Sequence, residues 1–311
     1  MNFFVTGGAG FIGSHLVDSL VERGQVAAYD NLSSGRREYL ETYLDKRVRL
    51  VEADLLDQER LGATMKGSNV VFHMAANPEV KNAADDTELD LKQGTIATHN
   101  VLAAMRLNGI RNIVFASSST VYGDASGKRV DEDYGPLQPI SLYGASKLAS
   151  EGLVTAFCHL FGMRAWIFRF ANVVGARATH GVMFDFIHKL KRNQARLEVL
   201  GDGTQNKPYI HVRDCVAGML YAFQHSDHQV NVYNLSTADT VSVNEIARMV
   251  IEAMELSNVT LTYTGGERGW PGDVPQVGLD TSRMEALGWK PEHTSRDAVR
   301  RAIGEMLGAT E

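Results

Sequence analysis

Apolar positions in the first half of the chain fall in short runs that alternate with stretches of helical period. Phe3-Phe4-Val5-Thr6 reads as an apolar strand. Ile12, Leu16 and Leu20 then recur at i, i+4 and i+8 in a helix that Gly24 ends. Val26 to Tyr29, Val48 to Val51 and Val70 to Met74 read as three more strands. Residues near Gln93 to Leu107 read as a helix, Asn112 to Ala116 as a fifth strand, Gly144 to Leu160 as a helix and Arg164 to Phe170 as a sixth strand. Nearly continuous apolar strands alternating with helices predict a parallel sheet covered on both faces, a doubly wound α/β fold.

After Asn172 the rhythm breaks into shorter segments rich in turn residues, such as Gly201-Asp202-Gly203 and Gly265-Gly266. A helix follows Ser242-Val243-Asn244-Glu245, where the serine and glutamate side chains can each satisfy the other's free backbone N–H. A last helix is expected from about Arg296 to Met306. The chain therefore divides into a dinucleotide-binding domain over 1–171, joined by part of 208–235, and a smaller lobe over 172–311 that closes on the C-terminal edge of the sheet.

Composition changes this picture little. A length of 311 residues suits two lobes, since single domains mostly stay under roughly 250 residues. No apolar run approaches the ~20 residues of a membrane span. The start of the chain has no basic segment before its apolar stretch, so a cytoplasmic protein without a membrane partner is expected. Cys158 and Cys215 provide neither a disulfide framework nor metal-ligand spacing. The histidines show no metal-ligand clustering, and no metal is expected. A net charge of −6 without a concentrated basic patch argues against a nucleic-acid partner.

Candidate chemistry begins at Thr6-Gly7-Gly8-Ala9-Gly10-Phe11-Ile12-Gly13, between the first strand and the first helix. Gly7 permits the tight turn, Gly10 lets the backbone approach a pyrophosphate, and Gly13 lets the helix pack against the strand. Phe11 and Ile12 open the helix whose free N–H groups face the anion. Asp30 ends the second strand. It can accept both ribose hydroxyls of an adenosine and would repel a 2′-phosphate, which favours NAD over NADP. Arg36 and Arg37 keep NADP open as an option. Asp54, after the third strand, is either an acceptor for the adenine amino group or an ordinary turn carboxylate.

Tyr143-Gly144-Ala145-Ser146-Lys147 puts a phenol and an ammonium on one helix face. A free phenol, with a pKa of about 10, is a poor base at neutral pH, and a neighbouring cation lowers that value. Alone, the pair reads as a surface helix pair. Ala116-Ser117-Ser118-Ser119-Thr120-Val121-Tyr122-Gly123 lies beyond the fifth strand, at the sheet end where ligands bind in open α/β folds.

With Arg169-Phe170-Ala171-Asn172 added, these motifs resemble the extended short-chain dehydrogenases that modify nucleotide sugars, from Met1 to about Pro291. The resemblance implies a Rossmann sheet with a smaller C-terminal substrate-binding lobe, a homodimer, NAD as cofactor and a UDP-sugar as substrate. It implies that Tyr143 takes the proton of the sugar 4-hydroxyl, that Lys147 holds the nicotinamide ribose and lowers the tyrosine pKa, and that Ser118 and Thr120 bond the 4-oxygen. Asn31, Leu55 and Ala75 join Gly7, Gly10, Phe11, Ile12, Gly13, Asp30 and Asp54 as expected cofactor contacts.

On the substrate side the resemblance implies Asn172 at the diphosphate, although an Asx turn explains it equally, and Leu200 in the segment that pairs with uracil. Lys207 stands where the family usually has arginine and offers a point charge in place of a bidentate clamp. Trp270 occupies another usual arginine position, with Arg268 as the candidate replacement. Val277 is expected to border the sugar 2-position. Gly94 stands where the family often has asparagine. Dehydratases of the family carry an acid before Val-Tyr-Gly, where this chain has Ser119 and Thr120, so 4-epimerisation of a UDP-hexose is the expected reaction. Arg177, placed to bind a 6-carboxylate, would make the substrate a UDP-uronate. A dehydratase or reductase, or a non-catalytic NAD sensor, is the remaining alternative.

Overall fold

A computed structural model of the protein describes residues 1–77, 86–125 and 127–308. Its main sheet holds β1 (Asn2–Thr6), β2 (Gln25–Asp30), β3 (Val48–Glu52), β4 (Val70–His73), β5 (Asn112–Ser118), then, past the short β6 (Arg129–Val130), β7 (Arg164–Phe170). Beyond β8 (Asn172–Val174), β9 (Arg196–Val199), β10 (Asn206–Lys207) and β11 (Tyr209–His211), the chain returns to this sheet as β12 (Val230–Leu235). The order β12-β7-β5-β4-β1-β2-β3 is parallel throughout. It reverses at β1, so a crevice opens beyond the carboxyl ends of β1 and β4.

Strand alternation sorts the core into two layers. Phe3, Val5, Phe72 and Phe168 face α1 (Phe11–Leu20) and, further along the chain, α6 (Val212–His225), with Leu16, Val17 and Met219. Phe4, Val71, Phe115 and Ile167 face the other way, onto α2 (Gln58–Met65), α3 (Ala97–Leu107) and α4 (Leu142–Phe161), with Leu61, Leu102 and Val154. Each of these large side chains contributes about 1.5–3 kcal/mol by leaving water, so a one-residue register slip would exchange the layers at great cost.

A third core joins α5 (Val182–Arg192), α7 (Val243–Ala253) and the last helix α9 (Ser295–Leu307) around Leu197, Val199 and Tyr209. A short α8 (Ser282–Ala286) precedes α9. The expected capping box is present: Ser242 N–H donates to Glu245 Oε2 at 3.0 Å, and Glu245 N–H to Ser242 Oγ at 3.2 Å. The helix expected over 93–107 differs. Leu91–Ile96 forms a π-helical turn before α3 begins. Among the described residues no helix is long and apolar enough to cross a membrane.

Candidate active site

A cavity of about 850 Å³ lies beyond the strand ends. One end is walled by the glycine turn, where Gly7 has φ +65° and an added Cβ would stand 2.8 Å from Ala75 N. Gly13 is needed for the turn itself, because a Cβ there would stand 1.9 Å from Gly7 O. Gly10 caps α1 without any side-chain bond, and a Cβ on it would meet only Gly7 O, at 3.2 Å. Open space beside Gly10, with α1's first-turn N–H groups behind it, fits a dinucleotide's diphosphate. Gly7, Gly10, Phe11, Ile12, Gly13, Asp30, Asn31, Leu55 and Ala75 all line this part of the cavity.

The Asp30 carboxylate accepts from Ala9 N–H and Leu32 N–H, both at 2.9 Å, and burial pushes its pKa up. Those two bonds leave it capacity for ribose hydroxyls, since a carboxylate has about four acceptor sites. Asp54 does not line the cavity. Against the effect of burial, bonds from Leu56 N–H, Asn31 and Gln93 hold its carboxyl below the usual range. Its acceptor sites serve a turn and two neighbouring amides, so the structure favours the turn reading over the adenine contact.

At the centre, Ser141 caps α4 through Gly144 N–H at 3.1 Å, and Tyr143 follows on the first turn, lining the cavity with Ser117, Ser118, Ser119 and Thr120. Ser118 Oγ accepts from Thr120 N–H at 3.2 Å and Thr120 Oγ1 at 3.0 Å. Burial and the charge of Asp90 push the Tyr143 phenol up to about 12, while a hydrogen bond with Ser118 acts in the opposite sense. The Lys147 ammonium donates to Ala116 O at 2.6 Å and sits 5.6 Å from the Tyr143 ring centre. Burial brings its own pKa down to about 8 despite Glu151 and Asp90. His73 is a packed strand residue, bonded to Thr6 and Thr98 and held down to about 3 by burial.

At the far end Asn172, Leu200, Lys207 and Val277 line the cavity. Asn172 also donates to Pro208 O at 3.1 Å. Lys207 is ion-paired with Asp273 and lies 5.3 Å from the Trp270 ring centre, so its charge is largely countered. Two expected contacts lie outside this lining. Arg177 faces another cleft, where its guanidinium pairs with Asp18 at 2.8 Å and lies over the Tyr39 ring. Arg268 pairs with Asp124 and donates to Asp273 O, outside the cavity lining. In both, a carboxylate elsewhere in the chain draws the cation off.

Sequence reasoning missed His180, Asp185 and Lys189 on and before α5, which also line the cavity. The only signal was the i, i+4 spacing of Asp185 and Lys189. It also gave no role to Glu151 and Arg169, buried directly beneath the reaction centre. Among the described residues one trio, Asp214, Glu292 and His293, is arranged so that it could hold a metal ion. It lies away from the cavity, and Asp214 is there bonded to the His293 N–H and ring.

The model of the NAD-dependent epimerase/dehydratase family matches residues 3–236. A UDP-glucose 4-epimerase from Mycolicibacterium smegmatis is 30% identical over 312 residues, covering 97% of each chain. A crystal structure of a UDP-galactose 4-epimerase superposes with a TM-score of 0.89 at 42% identity, over 100% of both chains. The Thermus thermophilus UDP-glucose 4-epimerase in complex with NAD gives 0.88 at 31% identity, again over 100% of both.

Proposed function

The chain belongs to the NAD-dependent epimerase/dehydratase family, with NAD as its cofactor, and on that premise we propose that it inverts C4 of a UDP-hexose such as UDP-glucose or UDP-galactose. The N-acetylhexosamine forms fall within the same reading. Bound NAD supplies the acceptor and the donor of the hydride exchanged with sugar carbon 4. Tyr143 receives the proton of the 4-hydroxyl and returns it to the 4-keto sugar after the ring has turned over. Ser118, bonded to Thr120, orients the 4-oxygen. Lys147 holds a positive charge beside the phenol from its anchor on Ala116 O.

The observation that carries this reading is the set of side chains that line the cavity with Tyr143 after β5: Ser118, Ser119 and Thr120, all bearing hydroxyls. Removing water from C5 and C6 needs a placed acid and base, and hydroxyls do not supply that pair. The uronate reading loses its support because Arg177 is turned to Asp18. A sensor without catalysis would need the glycine turn alone, not Ser118, Tyr143 and Lys147 around one cavity. The homodimer reading is supported by exposed Leu107, Leu160 and Phe161 at neighbouring ends of α3 and α4.

The test is NMR of the purified protein with a panel of UDP-sugars and no added cofactor. UDP-glucose should give the anomeric signal of UDP-galactose until an equilibrium is reached. A 4-keto-6-deoxy product would replace epimerisation by dehydration.

A further inference from the structure

Three residues one turn apart on α4 hold three successive residues of β5. Tyr143 stands against the Ser118 side chain, Lys147 donates to Ala116 O at 2.6 Å, and Ser117 Oγ donates to Glu151 Oε1 at 2.5 Å. The first two contacts belong to the proposed chemistry; in the third, Ser117 lines the cavity and Glu151 lies behind it, outside the lining. Glu151 is 6% exposed and Arg169 5%. Arg169 meets Glu151 in a bidentate pair, Nε to Oε1 at 3.0 Å and Nη2 to Oε2 at 2.8 Å. Its remaining nitrogen, Nη1, donates to Tyr122 Oη and Glu132 O, both at 3.1 Å. Tyr122 Oη in turn donates to Asn234 Oδ1 at 2.7 Å. The carboxylate, carried by α4, is thus held by Arg169 on β7 and by Ser117 on β5.

We propose that Glu151 is a positioning residue for the reaction centre: through Ser117 it fixes the strand end that presents Ser118, and its negative charge holds the Lys147 ammonium in place one turn away. Arg169 holds that carboxylate in a single orientation. This rests on the epimerase reading for its effect on turnover, but not for its effect on Lys147. The charged and titratable groups facing Lys147 are Glu151 from its own helix, Asp90 ahead of the π-helical turn, His73 from β4 and Tyr143. His73 is neutral, so Glu151 and Asp90 are the anions that favour the ammonium.

Three variants and a spectroscopic measurement test this. Glu151→Gln leaves Arg169 without its partner and endangers folding. Glu151→Gln with Arg169→Met removes both charges of the pair, an exchange buried pairs commonly tolerate. NMR of protein carrying labelled lysine side chains follows the Lys147 amine directly. Its titration midpoint should fall by about one unit, a tenfold change, in the double variant and in any folded single variant. The alkaline limit of kcat should move down with it. A wild-type midpoint in the double variant overturns the electrostatic role. Ser117→Ala keeps the ion pair and should lower kcat about tenfold while KM stays within about twofold. Unchanged kcat there overturns the positioning of Ser118. Wild-type protein that epimerises no UDP-sugar, yet shows the shifted midpoint in the variant, would refute the function and leave the role of Glu151 at Lys147 standing.

Discussion

A Cβ placed on Gly94 would stand 1.9 Å from Ser146 Oγ, so the π-helical turn and α4 meet where only a glycine allows the approach. Ser146 Oγ donates to Asp90 O at 2.8 Å and accepts from Thr95 at 3.2 Å. Gly94→Ala would force that hydroxyl to turn away and lose both bonds, at a net cost of about 1–2 kcal/mol. In a Ser146→Ala background the same change should be neutral or stabilising, because alanine favours helix over glycine. Denaturant unfolding of the four proteins checks the reversal of sign. Equal destabilisation in both backgrounds would mean that the contact is not the cause.

Heat-denatured protein should release NAD, detected by mass spectrometry, since the proposed cycle returns the cofactor unchanged and the cavity encloses it. Release of NADP would contradict the role given to Asp30. Asp30→Ala should weaken NAD binding and relax discrimination against NADP in a fluorescence titration. It should also loosen the turn, because Ala9 N–H and Leu32 N–H lose their acceptor.

Tyr143→Phe should keep the fold and NAD while turnover falls about 10²–10⁴-fold, the usual effect of removing a general acid–base group. Circular dichroism and the NAD content of the purified variant separate chemistry from misfolding. Near-wild-type turnover would take the tyrosine out of the mechanism.

Val277 lines the cavity at 8% exposure, and its small side chain leaves space that tyrosine would fill. Val277→Tyr should suppress turnover of UDP-N-acetylglucosamine while sparing UDP-glucose. Equal effects on the two substrates, or none, would show that position 277 does not border the sugar 2-substituent.

Glu305 sets an acid limit on stability. Against burial, bonds from His211, Ala176 N–H and Arg301 bring its pKa down to about 2. A folded value below the free value near 4.5 means that its stabilisation is complete above that pH. It is lost as pH falls toward 2. Glu305→Gln should therefore lower the unfolding free energy at pH 7, and the gap to wild type should narrow between pH 5 and pH 3. A gap independent of pH would assign the loss to packing.

Features that repeat at short range were legible along the chain. The alternation of Phe3–Thr6, Val70–Met74 and Arg164–Phe170 with helical spacing specified a parallel sheet covered on both faces, because burial on two sides leaves continuous apolar runs. The glycine turn was legible because φ at Gly7 and the contact at Gly13 admit no side chain, and the Tyr143–Lys147 pair because a helix brings i and i+4 together. Where charges find their partners depends instead on the folded arrangement. Arg177 meets Asp18 across 159 residues, Arg268 meets Asp124 across 144, and Lys207 meets Asp273 across 66. No local period records such meetings. A cation beside a desolvated carboxylate gains more there than in open water. The fold thus pairs two expected substrate ligands with carboxylates outside the cavity lining, and it brings Glu151 and Arg169 together behind Ser117.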